Sequence, residues 1–136
     1  MAVEMELSKI LIRERFQTHV IELRERFGDR VFPIEIGLFE AAAIERRLYN
    51  RKTNRPMTHE LLASVIKELG GEIEQVLVND LVHDEAGSGT FHARLHIRQN
   101  GELLNIDARP SDAIALGIAT DVPIYVEDHV LDAVSG

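Results

Sequence analysis

The residues best suited to chemistry are concentrated in one short run that reads as the end of a strand followed by the start of a helix. The run contains Asp107, Arg109, Ser111 and Asp112, and Pro110 stands where the first helical residue is expected. Carboxylates can bind a divalent cation, the forked donors of arginine can bind phosphate, and free N–H groups at a helix N-terminus favour anions. The run therefore predicts an anion or metal site at a helix entrance.

Each of these residues also has a purely structural interpretation. Asp112, in the first turn of the helix, would complement the helix dipole, and Asp107 would cap the corner. Arg109 would pair with a neighbouring carboxylate and hold the corner in place. Ser111 lacks the spacing of a Ser-His-Asp triad and the pattern of a nucleophile elbow, so we expect it to cap the helix or contact phosphate. The sequence leaves both interpretations of the aspartates and the arginine open.

A second Arg-Pro pair lies upstream and also opens a helix. Arg55 and Pro56 precede Thr58, a good helix N-cap, and His59 stands beside it. Arg55 would bind phosphate or pair with a carboxylate. His59 would act as a general base near neutral pH, bind a metal, or only satisfy hydrogen bonds at the helix start.

Two further carboxylates are weaker candidates for a site. Glu40 lies in the first turn of its predicted helix, where a carboxylate also caps free N–H groups. That helix is expected to bury a stripe of Ala41, Ile44 and Leu48. Asp80 alternates with Val76 and Val78, which predicts that it points inward, where a carboxylate must be paired, protonated or bound to metal.

One strand carries a stripe of basic side chains. His92, Arg94, His96 and Arg98 fall on one face, because side chains alternate along a strand. The opposite face carries Phe91, Ala93, Leu95 and Ile97. The basic face would follow a phosphate backbone, or it would be a solvated outer face paired with acidic neighbours.

Composition narrows the class of protein. The chain has 136 residues, no Cys and no Trp, a 45% share of hydrophobic residues and a net charge of −8. Without Cys it has no disulfide, thiol nucleophile or Cys-ligated zinc. The chain starts with acidic residues and lacks the apolar segment of a signal peptide, and no apolar stretch is long enough to cross a membrane. These features predict a cytoplasmic protein that does not contact membrane. The negative charge disfavours loose binding to nucleic acid unless a local basic patch or a bridging metal ion is present.

The hydrophobic pattern predicts the elements that position these residues. The expected strands cover 3–12, 17–24, 31–36, 73–82, 90–98, 102–107 and 123–126, and the expected helices cover 37–49, 58–69, a segment opened by Pro110, and a terminal turn at 128–133. Pro33 predicts an edge strand or a bulge, and Asn100-Gly101 predicts a type I′ hairpin turn. Strands in runs, with helices grouped between them, indicate an α+β fold. We expect a single compact domain over residues 1–136, with a largely antiparallel or mixed β-sheet packed with three to four helices.

Several motifs together resemble one known family. They are PIEIG at 33–37, RPMTH at 55–59, TFHARL at 90–95, IDARPSDAIAL at 106–116 and Pro123-Ile124. The chain resembles the bifunctional nuclease domain family of bacteria and plants over roughly residues 3 to 134. It departs from the usual pattern at Glu35, where an aromatic or apolar residue is common, and at His92, where tyrosine is common.

The resemblance implies a nuclease that cleaves both DNA and RNA, and a homo-oligomer. Hydrolysis of a phosphodiester commonly uses carboxylate-bound divalent cations, so Mg²⁺ or Mn²⁺ is the expected cofactor. The predicted metal ligands are Asp107, Asp112, Glu40 and Asp80; the predicted catalytic residues are Asp107, Asp112, His59 and Arg109; the predicted nucleic-acid contacts are Arg55, Arg94, His96, Arg98 and Ser111. Two alternatives stay open: a non-catalytic regulatory module that binds an anion or a protein partner, and polar corners that hold an oligomer together.

Overall fold

Strands and helices follow one another in runs along the chain. The computed structural model describes residues 1–13 and 18–135, and this part contains seven strands and four helices. The strands are β1 (Ala2–Leu11), β2 (Thr18–Glu25), β3 (Val31–Gly37), β4 (Gly71–His83), β5 (Gly89–Gln99), β6 (Glu102–Ala108) and β7 (Ile124–Glu127). The helices are α1 (Leu38–Leu48), α2 (Thr58–Glu68), α3 (Pro110–Thr120) and α4 (Asp128–Ser135).

The strands form one mixed sheet in the order β3-β2-β1-β7-β4-β5-β6. Neighbouring strands are antiparallel except β4 and β7, which run parallel. The sheet curls so that Phe32 of β3 meets Phe91 of β5 edge to face, with ring centroids 5.1 Å apart. The described residues thus form a compact α+β domain with a mixed sheet, as the sequence predicts.

Helix α3 lies at the centre of the fold. Ala113, Ile114, Ala115 and Leu116 are all buried, and α3 contacts α1, α2, β3, β4 and β5. At Gly117, a Cβ atom would meet the Val76 side chain at 3.0 Å, so glycine allows α3 to lie close against β4. Because α1 and α2 pack against this helix, its N-terminal end is held beside both of them.

Several local predictions are confirmed. Every predicted element is present, with boundaries within two residues of those expected, although residue 17 of the second predicted strand lies outside the described residues. Asn100 and Gly101 have φ angles of 50° and 79°, as a type I′ turn requires. Pro33 lies on the edge strand β3.

Two local predictions at the helices are wrong. Leu48 is 46% exposed, because the buried face of α1 consists of Glu40, Ala41, Ala43 and Ile44 and ends before the last turn. Thr58 is the first helical residue of α2 and not its N-cap; the cap is Met57, and no side chain caps the helix. None of the described helices has the length and apolar character needed to cross a membrane.

Candidate functional site

The first turns of three helices meet at one place. Glu40 lies in the first turn of α1, His59 in that of α2 and Asp112 in that of α3, while Arg109 is the N-cap of α3. We call these four residues the corner cluster. The packing of α1 and α2 against α3 brings them together, although Glu40 and Arg109 are 69 positions apart in the chain.

Asp112 is the centre of the corner cluster. Its Oδ1 lies 3.1 Å from Nε2 of His59, and its Oδ2 accepts hydrogen bonds from Nε and Nη2 of Arg109 at 2.9 and 2.7 Å. Burial raises the pKa of Asp112, but the bonds from His59 and Arg109 together outweigh burial, so its pKa lies below the ordinary value. Asp112 is therefore ionised at neutral pH.

Arg109 connects Asp112 to Glu40. Its Nη2 donates to Oε1 of Glu40 at 3.0 Å, and the Glu40 side chain is only 9% exposed. The hydrogen bond to Asp112, and then its charge, raise the pKa of Arg109. The guanidinium side chain is 71% exposed, and Nη1 has no hydrogen-bond partner among the described residues. Arg109 thus has the carboxylate pairing expected of a structural residue and also keeps a donor for an anion.

His59 has the arrangement of an oriented base. Its side chain is 8% exposed, and we assign the proton to Nε2, which faces the Asp112 carboxylate. Nδ1 makes no hydrogen bond in the described part of the chain. With the proton on Nε2, Nδ1 carries an unpaired lone pair while the carboxylate fixes the ring, as in carboxylate-oriented histidine bases.

The corner cluster lines an open groove of about 870 Å³. Apolar side chains make much of its wall: Phe39, Leu62, Phe91, Leu95, Ile97, Ile106 and Leu116. His92 and Asp107 add polar groups to the lining, and both are exposed. The Asp107 side chain makes no ion pair or hydrogen bond with the described residues, so it is available to a ligand in a way that Asp112 and Glu40 are not.

A smaller cavity of about 390 Å³ is also lined by His59, together with several basic residues. The three arginines of the lining are paired with carboxylates: Arg46 with Glu60, Arg47 with Asp121 and Arg51 with Glu45, each at 3.0 Å. Because these carboxylates neutralise the arginine charges, the cavity attracts an anion less strongly than the number of its basic residues suggests. Arg55, in the adjoining loop, is exposed and has no ion pair among the described residues.

Two of the four side chains in the basic stripe on β5 contact neighbouring residues. Arg98 Nη2 donates to Oε1 of Glu74 at 3.0 Å, and Nδ1 of His96 lies 3.0 Å from the amide nitrogen of Gln75. For Arg98 and His96, these contacts favour the interpretation as a solvated outer face over that as a phosphate-binding stripe. Arg94 pairs in register with Asp107 of β6, and in the described structure its side chain makes no ion pair.

Asp80 does not point inward, so that prediction is wrong. Its side chain is 50% exposed, and its Oδ1 lies 3.5 Å from Nε2 of His129 in α4. The register of β4 against β5 shifts between Val78 and Asp80, and this irregularity removes Asp80 from the alternation that buries Val76 and Val78. Asp80 does not line the groove.

The predicted metal ligands do not assemble into one centre. Among residues 1–13 and 18–135, no three His, Asp or Glu side chains are grouped so that they could hold a metal ion. Glu40 and Asp112 do not fit a shared cation, because both bind the Arg109 guanidinium. Asp107 is the remaining predicted ligand that lines the groove. Ser111 is 9% exposed and does not line it.

Sequence reasoning missed the aromatic wall of the groove. Phe39 precedes Glu40 and lines the groove, yet it is 77% exposed. The available signal is its position: at about 100° per residue it lies roughly 200° around the helix from Ala41 and so falls off the predicted buried stripe. A large apolar side chain that lies outside the buried stripe, next to a candidate carboxylate, indicates a surface that contacts a ligand and not the core.

Comparison with known proteins agrees with the motifs. The family model described as bifunctional nuclease domain matches residues 21–136. An uncharacterized protein of Mycobacterium tuberculosis is 38% identical over 128 residues, which cover 94% of this chain and 73% of that protein. Bifunctional nuclease 1 of Oryza sativa subsp. indica is 25% identical over 88% of this chain and 36% of its own length. Bifunctional nuclease 1 of Arabidopsis thaliana is 24% identical over 74% of this chain and 30% of its own length. The chain belongs to the bifunctional nuclease domain family.

Proposed function

We propose that this domain hydrolyses phosphodiester bonds of DNA and RNA in the groove, with the His59–Asp112 pair activating water. The observation that carries the proposal is the buried His59, whose Nε2 is fixed by an ionised carboxylate while Nδ1 has no hydrogen-bond partner among the described residues. The plant relatives are named nucleases, although this chain spans only about a third of their length. That common name supports the reaction type.

Each residue of the corner cluster has a separate role in the proposed hydrolysis. His59 takes a proton from water at Nδ1, so that the oxygen attacks phosphorus as the ester bond to the leaving oxygen breaks. The leaving oxygen takes a proton from solvent water, and the imidazolium later returns its proton to solvent. Asp112 holds the ring and stabilises the imidazolium that forms. Arg109 directs the free donor Nη1 at a phosphate oxygen, where negative charge accumulates. Glu40 is a positioning residue, because its contact with Nη2 fixes the guanidinium without reaching the substrate.

A divalent cation is a separate part of the proposal. Mg²⁺ often binds through one or two carboxylates, substrate phosphates and several waters. Asp107, which has no partner among the described residues, is the groove residue that would hold such an ion. When bound, the ion would neutralise charge on the phosphate oxygens. The homo-oligomer and the cytoplasmic location also stay predictions.

The test measures nuclease activity across a sizing column, on single- and double-stranded DNA and RNA, with Mg²⁺, Mn²⁺ or EDTA. We expect activity to elute with the protein and to fall about 100- to 10,000-fold in His59→Ala, the usual contribution of a general base. His129→Ala is the matched control, because His129 also faces an aspartate but is 62% exposed and does not line the groove. We expect this control to retain full activity.

Each arm of this test can fail separately. Equal activity in parent and His59→Ala would refute the role of His59. Asp107→Ala should lose the stimulation by Mg²⁺ or Mn²⁺ and keep its fold; unchanged stimulation would exclude Asp107 as the ligand. If clean parent protein cleaves none of the substrates with any metal, the domain is instead the non-catalytic binding module.

A further inference from the structure

Phe39 has an unusual position at the groove. Its side chain is 77% exposed, and it lies one residue before Glu40 of the corner cluster. Leu62 and Ile106, also groove residues, are 43% and 42% exposed. An apolar rim thus adjoins a polar cluster that contains a base and a cation.

The ring of Phe39 has no aromatic or cation–π partner in the described part of the chain. Other aromatic side chains differ: Phe32 and Phe91 pack against each other, and the exposed Phe27 lies under the Arg26 guanidinium at 5.3 Å from its ring centroid. The Phe39 ring is therefore largely exposed and can meet a flat ligand. Since the ring lines the same groove as Arg109 and His92, a ligand that joins flat apolar rings to anions fits this surface.

We propose that Phe39 stacks on an unpaired nucleobase and makes single-stranded nucleic acid the preferred substrate of the groove. This inference rests on the proposed nuclease function. A base in the interior of a duplex already stacks on both sides and cannot offer a face to Phe39, whereas an unpaired base can. Stacking accepts any base, because every base has a π-face, so the preference is for strandedness and not for sequence.

Binding can be tested without hydrolysis. The chain has no Trp, so Phe39→Trp places a single indole fluorophore at the groove, and Phe27→Trp places one at another exposed site as the matched control. Each variant is titrated with a phosphorothioate-linked oligothymidylate and with a blunt duplex without unpaired bases. We expect the single strand to quench the indole fluorescence of the Phe39→Trp variant, the duplex to leave it nearly unchanged, and the control to show no quenching with either. Absence of quenching, or equal quenching by the duplex, would overturn the proposal.

Activity provides a second, independent readout. Phe39→Ala should lower kcat/KM on single-stranded substrate by roughly 5- to 150-fold, the usual contribution of stacking one base, while Phe39→Tyr retains most of it. Activity of Phe39→Ala equal to that of the parent would overturn the stacking role even if the nuclease function stands. Conversely, quenching in a protein without nuclease activity would support stacking and refute only the hydrolysis. A second copy of the chain could instead cover Phe39, and light scattering of Phe39→Ala tests this alternative. A change in mass without a change in nucleic-acid binding would assign Phe39 to contact between copies of the chain and overturn the proposal.

Discussion

The contact between Arg109 and Glu40 yields a prediction about stability. The Glu40 side chain is 9% exposed and meets Nη2 of Arg109 at 3.0 Å. Arg109→Ala leaves this carboxylate buried without its donor, while Asp112 keeps His59. A hydrogen bond to a charged group contributes about 1.5–3 kcal/mol. Because the Arg109 side chain is 71% exposed and water reaches it, we expect a loss near the lower end, about 1.5–2 kcal/mol.

Urea denaturation at neutral pH, followed by circular dichroism, measures this loss. Arg47→Ala is the matched control, because Arg47 also binds a carboxylate at 3.0 Å, but its partner Asp121 is 84% exposed. Such a surface pair contributes about 0–1 kcal/mol, so the control should unfold nearly like the parent. Combining Arg109→Ala with Glu40→Gln removes the buried charge as well and should show a coupling energy of at least about 0.5 kcal/mol.

Two results would refute the reasoning about this pair. If Arg109→Ala and Arg47→Ala lower the free energy of unfolding equally, burial of Glu40 does not determine the cost. If the effects of Arg109→Ala and Glu40→Gln simply add, the two residues do not stabilise each other, and Glu40 does not position the guanidinium.

Three further changes test other parts of the fold. Asp112 has a lowered pKa in the folded state, so its stabilising contribution is complete above the ordinary carboxyl pKa of about 4 and is lost as the pH falls through the folded value. Asp112→Asn should therefore unfold more readily than the parent at pH 7, with the difference shrinking in acid; a difference independent of pH would contradict this. Gly101→Ala should destabilise the domain by about 1 kcal/mol or more in urea, because its φ of 79° strains a side-chain-bearing residue, and an unchanged midpoint would contradict the turn assignment. Phe32→Ala should cost about 3–5 kcal/mol in the same assay, because the ring is fully buried against Phe91; a loss below about 1 kcal/mol would mean that this contact does not hold β3 against β5.

The sequence by itself determined the local structure. Alternation along a strand and the helical stripe report which backbone conformation buries apolar side chains, and they place each element within two residues. Asn100-Gly101 specifies its turn because both residues tolerate positive φ, and Pro33 marks an edge because it has no N–H to donate to a second strand. These signals depend on neighbours in the chain, so a sequence contains them directly.

Tertiary structure decided which polar residues meet. Asp112 reaches His59 across 53 positions and shares Arg109 with Glu40 because three helices converge, and no local pattern encodes that convergence. A register shift in β4 moved Asp80 away from the core, which simple alternation does not anticipate. The aspartates of the DARPSDA run look equivalent in sequence, yet packing gives Asp112 two partners and leaves Asp107 open to the groove. The physical reason is that a side chain's role depends on charges and burial supplied by distant segments.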